Sequence, residues 1–185
     1  NSIGVSYGET KIFKTSVALP EVVCVEAYEL TSSSVKILGK VVNHGGETIS
    51  EVGILYGTTS DLNPITSSKV VSVYTNDSFN ITLTSLSRVT EYYIHLFATN
   101  SAGSTYGDIL KIKTLPELPE VITNDVTDIS NNSAKSGGVI IDDGGTEILS
   151  KGLVWSKSNN PIVEQSLRTD EGGGETDCHR RQTAQ

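Results

Sequence analysis

The chain repeats itself at a shift of 99 residues, and that period constrains its fold more than any other feature. N-S-I-G-V-S-Y-G at residues 1–8 returns as N-S-A-G-S-T-Y-G at residues 100–107, and in the same register Gly39 falls on Gly138 and Gly53 on Gly152. From Asn1 to Gly57 the alignment needs no gap and holds 18 identities in 57 positions. Average residue usage would produce roughly four. Pairs such as Val41/Ile140, Ile54/Leu153 and Tyr56/Trp155 keep matched positions apolar. Solenoid and propeller-blade repeats are far shorter and cannot bury a core alone. A period near 100 residues is the size of a self-contained β-sandwich.

The expected organisation follows from the period. Residues 1–16 read as the last strand of a preceding repeat, and 17–116 as a complete domain. Residues 117–174 read as the N-terminal part of a second, incomplete domain, and 175–185 as a non-repeat, disordered tail. The joints at Ser16–Pro20 and Leu115–Pro119 both contain L-P-E-V; proline removes a donor and stiffens the chain, so each joint reads as a short, semi-rigid linker. Asn160-Pro161 matches Asn63-Pro64 at a shift of 97, which reads as a two-residue loop deletion. Beyond it, E-T-D-C-H-R-R-Q-T-A-Q has no alternation, as a shifted reading frame would give, and residues 167–185 are expected to be disordered. Half a sandwich leaves open sheet edges, so 119–185 is expected to be marginal alone.

Apolar residues alternate with a period of two throughout, and no stretch holds a 3.6-residue pattern. In the complete domain this predicts strands over 22–30, 35–42, 49–56, 69–74, 79–83, 92–99 and 105–114. Asn43-His44-Gly45-Gly46-Glu47 predicts a hairpin turn, because paired glycines supply positive φ. Phe79, Ile81 and Leu83 are expected to point inward, as are Tyr92, Ile94, Leu96 and Ala98; Tyr93, His95 and Phe97 then form an outer row.

The run Leu86-x-x-x-Thr90-x-Tyr92-x-Ile94-x-Leu96-x-Ala98-x-Asn100, followed by Gly103, resembles a corner and strand of fibronectin type III domains. The resemblance implies that Tyr92 is a structural corner, its hydroxyl bonded to upstream backbone. G-K-V-V-N-H-G-G-E-T-I-S-E-V-G-I-L-Y-G and its copy at 138–156 resemble the tandem repeats of exported Bacteroidetes surface proteins. One departure is that the second strand lacks the usual core Trp, and Trp155 sits on the third strand instead. The resemblance implies an all-β fold of tandem Ig-like, fibronectin type III-like antiparallel sandwiches, the last one incomplete.

The chemistry-bearing residues carry no catalytic constellation. His44 sits in a turn whose copy carries Asp143 and reads as a solvated turn residue. Tyr93, His95 and Phe97 form a possible ligand contact, weighed against ordinary cross-strand packing. Asp142-Asp143, and Asn124-Asp125 with Asp128, lack calcium-loop spacing, and turns favour Asp and Asn in any case. Cys178-His179 are sequence neighbours without an orienting third group. Cys24 and Cys178 occupy unrelated repeat positions, which gives no disulfide framework. No metal or cofactor is expected.

A net charge of −8 opposes nucleic-acid binding, which needs a basic face. No apolar run is long enough to span a membrane, and the absence of Met reads as an excised segment. The expected function is a non-enzymatic spacer or adhesion-type module of an exported cell-surface or extracellular protein, whose partners are other domains of its own chain. A glycan- or protein-binding module, using Tyr93, Phe97 and Tyr74 toward a glycan or a host or extracellular protein, is the first alternative. An accessory module of a larger exported hydrolase is the second.

Overall fold

The computed structural model describes residues 2–164 and 166–173 and the backbone of 177–183. Among these there are only strands, turns and irregular segments, and no helix is long and apolar enough to cross a membrane. The protein is all-β and antiparallel. Residues 2–19 form no strand, and Ile3, Val5, Tyr7, Ile12 and Phe13 are exposed. The strand expected over 1–16 therefore has no ladder partner here, and strand geometry needs one; Asn1 lies outside the described residues.

Seven strands follow: β1 (Glu21–Tyr28), β2 (Val35–Asn43), β3 (Glu51–Gly57), β4 (Ser68–Ser72), β5 (Ser78–Leu83), β6 (Glu91–Asn100) and β7 (Gly103–Lys113). They form a three-stranded sheet, β1-β2-β5, and a four-stranded sheet, β4-β3-β6-β7. Alternation sets the buried faces: Val35, Ile37 and Val41 on β2, Phe79, Ile81 and Leu83 on β5, and Tyr92, Ile94, Leu96 and Ala98 on β6. The sheets meet as in a β-sandwich at Gly39, where an added Cβ would overlap the Phe79 ring and lie 2.7 Å from Leu96 Cδ2. Every fully buried hydrophobic residue among those described falls between Val22 and Ala98.

The turn at 43–47 departs from expectation. Gly45 and Gly46 do have left-handed backbones (φ 72° and 86°), but the turn is not a hairpin. It carries the chain from β2 in one sheet to β3 in the other. Paired glycines specify a tight reversal, while the partner of the next strand is chosen by the core.

The chain divides into two compact units, Asn1–Tyr28 with Lys36–Thr82 and Tyr93–Lys111, and Glu29–Val35 with Leu83–Tyr92 and Ile112–Gln185. The first holds most of β1–β7. The second contains the corner around Tyr92, where Ser87 N donates to Tyr92 Oη at 2.9 Å. Buried Thr114 joins it: its hydroxyl donates to Ser87 O at 2.7 Å and accepts from Thr90 N at 2.9 Å.

The same unit holds β8 (Glu120–Thr123), β9 (Ser133–Asp142), β10 (Val154–Trp155), β11 (Leu167–Arg168) and β12 (Asp177–Thr183), in sheets β12-β9-β8 and β10-β11. Their registers copy the earlier ones 99 residues on. Glu21↔Asn43 and Val22↔Val41, with a bulge between, become Glu120↔Asp142 and Val121↔Ile140 with the same bulge. Leu55↔Lys69 and Tyr56↔Ser68 become Val154↔Arg168 and Trp155↔Leu167.

The two-residue deletion is corrected by the loop between those strands. Asn63 N donates to Ser67 Oγ at 3.0 Å, and Ile162 N to Ser166 Oγ at 3.1 Å, so Ile162 and not Asn160 takes the place of Asn63. The serine cap sets this loop, and Asn160 instead has a left-handed backbone (φ 58°). The tail expectation also changes. β11 covers 167–168, and the backbone of 177–183 pairs antiparallel with β9 from Asp177↔Val139 to Thr183↔Ser133. An unpaired β9 edge offers a row of donors and acceptors, which backbone of any sequence can satisfy. Residues 174–176, 184 and 185 lie outside the described residues.

Candidate functional site

Tyr93, His95 and Phe97 stand side by side on β6, on the face of the four-stranded sheet away from the core, but they do not form an open aromatic row. Tyr93 and His95 are half-buried, while Phe97 is only 2% exposed, which corrects its reading as an outward contact. Its register partner on β3 is Gly53, and an added Cβ there would lie 2.7 Å from Phe97 Cε1. The missing side chain lets the ring lie across the neighbouring strand. Lys69 Nζ on β4 caps it, 4.7 Å from the ring centroid, and is itself held by Glu51 at 2.9 Å. Tyr106 on β7 covers the other side, with centroids 6.2 Å from Phe97 and 5.7 Å from His95. Lys111 Nζ lies 5.6 Å from the Tyr93 centroid. The surface left open is Tyr93, His95 and the rim of Tyr106. Tyr106 was missed because only the β6–β7 pairing brings it to this row.

A second cluster lies at the end of the β2–β3 turn. His44 Nε2 is 2.6 Å from Tyr74 Oη and 2.9 Å from Asp77 Oδ1, and Tyr74 Oη donates to the same Oδ1 at 2.9 Å. The His44 and Tyr74 rings meet edge-on at 6.2 Å. Local geometry builds this corner. Asn43 Oδ1 accepts from Gly45 N at 2.9 Å and orients the turn that carries His44. Asn76 and Asp77 take left-handed backbones (φ 50° and 63°) in a tight turn closed by Thr75 and Ser78. Val41 N then donates to Asp77 O at 2.8 Å, which ties that turn to β2.

His44 is thus an exposed turn residue, as expected, and also a bonded member of a three-residue cluster. Nothing local could have shown this, since its partners lie 30 and 33 residues away. The Tyr74 hydroxyl, followed by His44, holds the Asp77 carboxyl below the usual carboxylate range. Burial, reinforced by Asp77, pushes the Tyr74 phenol up to about 12, so it stays a donor. The cluster opens on a cleft of about 760 Å³ that also presents Asn43, Glu47 and Asn76. Such a corner can exchange hydrogen bonds with a polar ligand.

The remaining candidates are placed as follows. Both oxygens of Asp142 bond to Arg88, at 2.8 and 2.6 Å, which leaves little for a calcium ion. Among the described residues no three His, Cys, Asp or Glu side chains converge on a metal position. Cys24 is half-buried, and burial pushes its thiol up, away from reactivity. The Cys178 and His179 side chains lie outside the described residues.

Fold and surface together define an all-β protein of antiparallel sheets with polar and aromatic corners. No family model matches the chain, and no curated protein does. Among solved structures it is similar to the sensor domain of the anti-sigma factor RsgI4 of Pseudobacteroides cellulosolvens, at 25% identity and a TM-score of 0.40, over 54% of this chain and 98% of that one.

Proposed function

We propose that the chain is a stretch of tandem fibronectin type III-like sandwiches, acting as a non-catalytic spacer or adhesion-type module of an exported, cell-surface or extracellular protein. The observation that carries this reading is the common 99-residue offset of sequence, strand registers and bulge. The sheet orders β1-β2-β5 and β4-β3-β6-β7, with a tyrosine corner leading into β6, support the type of sandwich. Repeated modules of one size joined through Pro-bearing linkers give reach without chemistry. An acidic surface keeps such modules soluble and mutually repelling. The function within that architecture rests on analogy of fold.

A binding module is the second reading, and the His44–Tyr74–Asp77 corner favours it. Titrating the full chain against glycan and extracellular-protein panels separates the two. The spacer reading expects no dissociation constant below about 1 mM, weaker than specific recognition reaches. A tighter complex that Tyr74→Phe abolishes would replace it with the binding reading.

A further inference from the structure

Arg88 lies in the β5–β6 connection beside Val89, whose backbone is left-handed (φ 53°). A β-branched residue is strained in that region, so surrounding contacts must hold it there. Those contacts form one knot. The Arg88 guanidinium forks onto Asp142, with Nη1 donating to Oδ2 at 2.8 Å and Nη2 meeting Oδ1 at 2.6 Å. Glu117 Oε2 lies 3.6 Å and Asp143 Oδ1 3.9 Å from the same guanidinium. Glu117 Oε1 accepts from Ser32 Oγ at 2.6 Å. Gly145 (φ 87°) packs beneath, where a Cβ would lie 2.8 Å from Val89 Cγ2 and 3.1 Å from Arg88 Nε.

The segment between these groups is the joint expected from L-P-E-L-P-E-V. Its donors are bound or deleted. Thr114 N donates to Thr90 O and Leu115 N to Thr31 O, each at 3.0 Å; Pro116 has no N–H, and Glu117 N donates to Gly144 O at 2.9 Å. The chain also contains a counterpart without the ionic fork, tied instead by buried Asn100, whose Nδ2 donates to Ala18 O at 2.7 Å and to His44 O at 2.9 Å. Ala18 N donates to Gly45 O at 2.9 Å, the same bond 99 residues earlier, but Asn43, His44 and Ala18 stand where Asp142, Asp143 and Glu117 stand in the knot.

We propose that Arg88 is the pin of an ionic clamp that holds the 114–117 joint in one conformation, so that breaking it loosens the joint without unfolding the sheets. The clamp goes beyond the spacer reading and does not depend on it. A guanidinium suits the role because its planar fork matches a carboxylate at two points, and the pair is only about one-third exposed (34% and 38%). The charged groups facing it are Asp142, Asp143 and Glu117, with Glu147 lining the same cleft. Arg88 holds the Asp142 carboxyl below its ordinary range. The clamp is therefore fully present above that range, and is lost as pH falls through the lowered value.

Amide hydrogen exchange of the full chain tests this, with Ile94 and Leu96 of β6 as the internal reference. In the wild type, Glu117 N–H is expected to be protected, as local opening is opposed by the fork. In Arg88→Ala, Glu117 should accelerate by about tenfold over its wild-type rate, with Ile94 and Leu96 unchanged; Arg88→Lys should recover only part of the protection. Unchanged Glu117 protection in Arg88→Ala would overturn the clamp, as would parallel acceleration of Ile94 and Leu96. Should Arg88→Ala fail to fold, Asp142→Asn is read against the same two criteria.

Discussion

Gly53 and Phe97 face each other across β3 and β6, and the absence of a side chain at the first explains the burial of the second. The Gly53→Ala variant tests this directly. Its methyl would collide with the Val70 carbonyl as well as the Phe97 ring, so it should cost about 2 kcal/mol and lower the melting temperature by roughly 10 °C. A melting curve superimposable on the wild type would show that the close approach is not needed. Asp77 supports a second residue-scale prediction. Its carboxyl is held low by Tyr74 and then His44, so its contribution is present above the ordinary carboxylate range and lost as pH falls through the lowered value. The Tyr74 ring resonances should move through that acid transition in the wild type and stay still in Asp77→Asn. Persistence of the transition in Asp77→Asn would assign it to another group. Neither pair was legible in the sequence. Alternation placed Phe97 on the outer face, as observed, but whether an outward ring is covered depends on the neighbouring strands.

At the scale of elements, all seven strands expected between residues 22 and 114 are present, with bounds within a few residues. β4 lies at an edge of its sheet. The errors concern pairing. The Gly45-Gly46 turn joins two sheets, and the non-alternating tail still supplies β12. Alternation reports side-chain burial, whereas a ladder needs only backbone groups, so a strand can form where the pattern is silent. Deleting residues 175–185 should leave the β9 edge unpaired. Amides that face β12 in Ser133–Val139 should then exchange faster by about tenfold or more, while those of β6 keep their rates. Equal rates with and without the tail would mean that β12 does not persist in solution.

For the whole molecule, the distribution of burial carries the prediction. Every fully buried hydrophobic residue among those described lies between Val22 and Ala98, so residues 17–116 hold that core entire. Expressed alone, 17–116 should unfold in one cooperative transition within about 5 °C of the main transition of the full chain. A fragment without dispersed amide resonances would place the domain boundaries elsewhere. The 99-residue period, the strand positions and the inward faces of β5 and β6 were determined by the sequence alone. They follow from identity at fixed spacing and from a backbone whose side chains alternate sides. Only the tertiary structure decided which sheet each strand joins, what covers Phe97, what His44 bonds and which carboxylate Arg88 grips. Those are contacts between residues up to 54 positions apart. They are chosen by the core and by pairing of distant backbone, which no local pattern encodes.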